Sequence, residues 1–123
     1  MGALAIGLAA GVLCYWGANN LKRLVDYDDS LDVFGVHGIG GIVGVLLTGV
    51  FASSALGGSV EDLNIGNQLS LQAVGIVATL VYSGALTFIL VKVVDGMIGI
   101  RVTAEEEGTG LDLALHDERG FNL

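Results

Sequence analysis

The chain has 123 residues, 53% of them apolar and only 15% charged, with a mean hydropathy of +0.74. That length suits one domain, and the balance is too apolar for an ordinary soluble one, so a membrane protein is the expectation. The formal charge of −8 sits in three short segments, and the five Lys and Arg residues make no basic surface of the kind that binds nucleic acid.

Ala3 to Leu21 is free of charge for nineteen residues; as a helix it is ~28 Å long, close to the ~30 Å of bilayer hydrocarbon. It is the first predicted span. The basic residues follow the apolar run instead of preceding it, and further spans come after it, which argues against a secretory signal peptide. MGALAI lacks the hydroxyl residue that a myristoylation signal has at its sixth position. Gly7 and Gly11 form a GxxxG pair suited to close helix packing. Cys14 has no partner for a disulfide or a metal site and is read as a packing residue. Tyr15 and Trp16 are either a buried contact, the preferred reading, or an interfacial anchor.

Lys22 and Arg23 close this span, and Asp26, Asp28, Asp29 and Asp32 lead into the next. Their first reading is capping and solvation, with Ser30 as the helix cap and Asp32 in the first turn, where a carboxylate meets free amides and the positive end of the helix dipole.

Val33 to Ala52 is the second predicted span, and it contains His37. An ionisable side chain in bilayer hydrocarbon costs a few kcal/mol or more, so such groups face protein or a water-filled path and mark relay or transport sites. Residues three and four apart share a helix face. The face of His37 carries Gly40, Gly41, Gly44 and Thr48, which implies close backbone packing or a narrow lumen. Val36, Ile39, Val43, Leu46 and Leu47 make the other side bulky.

Ser53 to Gln68 is a polar loop without Lys or Arg, and Leu69 to Val91 is the third span, twenty-three residues without a charge. Gln72, Gly75, Thr79, Ser83 and Thr87 form a weakly polar stripe on it, expected to pack on protein while the opposite face meets lipid. The division drawn is a transmembrane region over residues 1–98 and a polar tail over 99–123. His116, among acids in that tail, is a surface residue, with no second His or Cys nearby for a metal site. All five basic residues fall in the first loop or towards the tail, so the positive-inside rule places those segments in the cytoplasm. No nucleophile, base and orienting group occur together and no cofactor motif is present, so no enzyme and no cofactor are expected.

DDSLDVFGVHGIGGIVGVLLTGVFA resembles the second histidine-bearing span of the ammonium transporter family, whose relatives include the Rhesus proteins. LKRL before it and GLDLALHDERGFNL after it resemble the same family's short cytoplasmic loop and C-terminal signature. The resemblance implies an all-α, polytopic protein, a homotrimer of eleven-helix subunits in the cell membrane, of which this chain corresponds to the last three helices and the tail. It implies that His37 is one of two touching histidines in a hydrophobic conduit for ammonium or ammonia. It also implies roles for Asp28 and Asp32, with Gly110, Leu111 and Asp112, at the cytoplasmic pore mouth or in docking the tail. A PII-type nitrogen-signalling protein is the implied partner at that face. Asp117 stands where the family commonly has glycine, and Phe121 where it commonly has tyrosine. The partner histidine, the aromatic gate and the external recruitment site lie on helices outside these 123 residues, which suggests a fragment. The rival reading is a non-transporting membrane module that regulates a full-length transporter through its tail.

Overall fold

The computed structural model describes residues 2–120 and consists of helices joined by short turns. Three helices are long and apolar enough to cross a membrane: α1 (Gly2–Val25), α2 (Phe34–Phe51) and α3 (Ile65–Ile98). Two short helices follow in the tail, α4 (Ala104–Thr109) and α5 (Leu111–His116). The only strand-like pairing among the described residues is an isolated parallel bridge between Ser53 and Val60. Phe121, singled out above, lies outside the described residues.

The chain divides within α3, after Val81, into two compact units. In the first, α1 and α2 pack along one another. Glycines permit this where a Cβ has no room: at Gly35 it would sit 2.7 Å from the backbone nitrogen and 2.8 Å from the Cα of Ala18, and at Gly17 it would collide with the end of the Ile39 side chain. Near the other end, Gly2 lies against Phe51. Small residues that let backbones approach are the usual means of helix association in lipid, where no hydrophobic effect drives helices together. The first turn of α3 is capped by Asn64, whose side-chain oxygen accepts the amide of Asn67 at 3.0 Å. Gln72 then packs against Gly49 of α2.

Both α1 and α2 contain one widened, π-helical turn, Gly17–Leu21 and Phe34–Gly38, and the two turns face each other. Such turns insert an extra residue into a helix and occur often at functional sites.

Several local expectations are revised. Ser30 does not cap α2: the carboxylate of Asp29 accepts the amides of Val33 and Phe34, each at 2.9 Å. Asp32 is not in a helical turn, because its φ is +53°. α3 starts at Ile65, four residues before Leu69, and runs on through Lys92 and Asp95 to Ile98. Its 34 residues correspond to ~51 Å, well beyond the hydrocarbon thickness. Gly7 and Gly11 face open space, while Tyr15 and Trp16 are exposed. On the α3 stripe Gln72 is half-buried, but Gly75, Thr79, Ser83 and Thr87 are uncovered. None of the large apolar side chains among the described residues is buried. A helix that is apolar on all sides must be covered by lipid or by other helices, and α1 to α3 leave that cover to their surroundings.

In the second unit, α4 opens with a reciprocal cap: the Glu106 amide donates to the Thr103 hydroxyl at 3.2 Å, and the Glu106 carboxylate accepts the Thr103 amide at 2.8 Å. Gly110, at φ +95°, turns the chain from α4 directly into α5, a conformation open to glycine alone. Asp117 ends α5 in the left-handed region at φ +49°.

Candidate functional site

The first turn of α2 is anchored at several points before the chain reaches His37. Lys22, at the end of α1, forms a 2.9 Å ion pair with Asp32 and also donates to the backbone carbonyl of Asp29. Asp29 therefore ties both helices: its carbonyl receives α1's lysine while its carboxylate holds the leading amides of α2. The amide of Phe34, then that of Val33, and the nearby Lys22 ammonium hold the pKa of that carboxyl below the ordinary aspartate value, against the opposing effect of desolvation. Tyr27 packs edge-on against Phe34, with ring centroids 6.0 Å apart and planes at 87°. Asp28 is exposed on the same loop.

His37 lies within the wide turn Phe34–Gly38. Its neighbours in sequence are held by α1: Gly35 meets the Ala18 backbone, the Cys14 thiol donates to the Val36 carbonyl at 3.4 Å, and a Cβ on Gly40 would lie 3.0 Å from that same sulfur. His37 itself is exposed, as are Gly41 and Thr48; Gly44 is half-buried, and a Cβ at Gly41 or Gly44 would meet nothing within 4 Å. The expected glycine strip thus divides. Gly40 belongs to the seam between α1 and α2, whereas Gly41 and Gly44 lie with His37 and Thr48 along an open side.

That side has a chemistry of its own. An imidazole both donates and accepts hydrogen bonds, and the glycines beside it leave room for a small polar molecule. No group of three His, Cys, Asp or Glu side chains among the described residues could hold a metal ion.

Of the remaining expected residues, Asp32 is engaged with Lys22. Gly110, Leu111 and Asp112 come together at the joint of α4 and α5, where the Ala114 amide closes on the Gly110 carbonyl at 2.9 Å and the Glu118 amide on that of Asp112 at 3.0 Å. Sequence reasoning missed the two wide turns and the part of Asp29. Gly17 and Gly35 were the available signal for the turns, hidden among twenty glycines.

The model of the Ammonium Transporter Family matches residues 1–121. An ammonium transporter of Bacillus subtilis (strain 168) is 40% identical over 97% of this chain and 30% of its own length. That of Aquifex aeolicus (strain VF5) is 44% identical over the whole chain and 29% of its own length, and that of Mycobacterium tuberculosis (strain ATCC 25618 / H37Rv) is 45% identical, covered over 28%. The chain therefore spans somewhat under a third of the length of the curated relatives it matches. No solved structure matches it.

Proposed function

The chain belongs to the ammonium transporter family, and from that membership we propose that it contributes to conducting ammonium or ammonia through a membrane, with His37 lining the path. The observation that carries this reading is the placement of His37: a titratable ring in an apolar helix, exposed beside Gly41, Gly44 and Thr48 while the opposite side of the same turn is locked to α1. Stripping water from ammonium in hydrocarbon costs far more than moving neutral ammonia. A ring that accepts or passes a proton where water is scarce lowers that barrier, and a second imidazole from another part of the assembly would complete the pair.

In the same reading residues 1–98 are the membrane region and 99–123 the cytoplasmic tail. The charge distribution supports this orientation, since Lys22, Arg23, Lys92, Arg101 and Arg119 come at or after the ends of the first and third charge-free runs and the loop before α3 has no basic residue. The uncovered apolar faces of α1 to α3 support assembly with further membrane helices, as in a homotrimer of full-length subunits. Asp28 and Asp32 on the first loop, and Gly110, Leu111 and Asp112 in the tail, are then the cytoplasmic surfaces available to each other or to a PII-type regulator. The test is His37→Ala in the native polypeptide, read as labelled methylammonium uptake in cells with no other ammonium carrier. Loss of uptake or of selectivity is expected; unchanged transport refutes the pore role.

The rival reading, a regulatory module that docks on a complete transporter, draws on the preformed helical joint at Gly110. It predicts co-purification with a full-length transporter and no flux through the chain in liposomes.

A further inference from the structure

Resting on the reading of His37 as a pore group, we propose that Gly35, faced by Gly17, is a positioning residue for that histidine: the interlock of the two wide turns sets the direction in which the imidazole leaves α2. Gly35 and His37 share one π-turn, and the turn opposite begins at Gly17. A wide turn displaces everything beyond it by about one residue's rotation, roughly 100°, relative to an uninterrupted α-helix. Were Phe34–Gly38 to tighten into α geometry, the backbone carrying His37 would turn relative to the contact that Gly35 makes with Ala18, and the ring would leave α2 in another direction.

Three contacts oppose that tightening. Gly35 accepts the Ala18 backbone at a distance that leaves no room for a methyl group, Ile39 fills the space over Gly17, and the Cys14 thiol engages the carbonyl of Val36, the residue before His37. The seam therefore fixes the backbone on one side of the turn and leaves the ring to project from the other.

The two glycines predict unequal results. A Cβ at Gly35 meets backbone, which cannot yield, whereas one at Gly17 meets only the far end of Ile39. The test uses the native polypeptide in nanodiscs with ¹⁵N-labelled histidine, the His37 ring signals being assigned as those that disappear in His37→Gln, with methylammonium uptake measured in parallel. Gly35→Ala is expected to move the His37 ring signals and to lower uptake by about tenfold or more, since misplacing a reacting group by ~1 Å costs up to a hundredfold. Gly17→Ala is expected to do the same more mildly, and Gly17→Ala with Ile39→Val to restore both readouts, because valine lacks the colliding Cδ1. Unmoved ring signals in Gly35→Ala overturn the proposal, as does a Gly17→Ala defect that Ile39→Val leaves in place. Should Gly35→Ala fail to insert, the Gly17 pair decides. If His37→Ala leaves uptake unchanged, the pore role falls by itself, while the ring signals still decide the positioning.

Discussion

Replacing Asp117 by glycine should tighten the second tail helix. Asp117 ends α5 at φ +49°, ψ +33°, with its own amide and that of Glu118 both directed at the Asp112 carbonyl. Left-handed backbone costs an L-residue about 1–2 kcal/mol, towards the low end for aspartate. A carboxylate at a helix C-terminus adds about 0.3–1 kcal/mol of unfavourable dipole interaction. Glycine removes both costs and returns about 0.5–1 kcal/mol through the freer unfolded chain. The net gain is about 0.5–1 kcal/mol, or two- to fivefold in the closed population, and a helix this short is marginal enough for that to register. Hydrogen exchange at the Ala114, Asp117 and Glu118 amides should slow by that factor. Asp117→Asn, which drops the charge and keeps the conformation, should give only the dipole share, and Asp117→Val should speed exchange. Unchanged or faster exchange in the glycine variant would refute the account of this cap.

Acid should release the start of α2 late. The Asp29 carboxyl is lowered by the amides it accepts, so its contribution is complete above the unfolded aspartate value of about 3.9 and is lost as pH falls through the lower folded value. The Val33 and Phe34 amides should therefore stay protected until below about pH 4, and Asp29→Asn should abolish that acid step. Glu106, lowered chiefly by the Thr103 amide and then by its hydroxyl, should give the same sign at the start of α4, with Thr103→Val, which keeps the amide and loses the hydroxyl, removing only the lesser share. Gly58→Ala places a methyl against the Ala52 carbonyl and should cost upwards of about 2 kcal/mol, seen as a lowered melting temperature and exposure of the Ser53–Val60 bridge to exchange. Asn64→Ala should cost about 1 kcal/mol and fray only the first turn of α3, read at the Asn67 amide.

The three spans were legible because bilayer helices are recorded in composition: long gaps between charges identify them whatever their packing. Their ends were less so. Hydrophobicity marks where a helix can meet lipid, not where it stops, and nothing in Asn67, Gln68, Lys92 or Asp95 breaks a helix once it lies in water or headgroups. Hence α3 outruns the apolar run at both ends. The first loop misled differently. Ser30 stands at a suitable position for a cap, but Asp29 offers two carboxylate oxygens and takes two amides, which a single hydroxyl cannot match.

His37 was visible as an anomaly of residue type, whereas the geometry around it was invisible for a physical reason. Assigning faces by steps of three and four assumes 100° per residue, and the wide turn at Phe34–Gly38 breaks that assumption at the residue that matters. Gly40, Gly41 and Gly44 all follow that turn, yet Gly40 packs on Cys14 and the other two do not, a difference set by where α1 lies and not by spacing. The glycines consequently have two separable duties. Gly17, Gly35 and Gly40 admit a neighbouring helix, and a methyl group there strains the seam; Gly41 and Gly44 keep space clear beside an imidazole, and a methyl group there meets nothing in this chain. A methyl at Gly41 or Gly44 should therefore narrow a conduit without disturbing the fold, and comparing melting temperature with uptake across the five positions separates packing from passage.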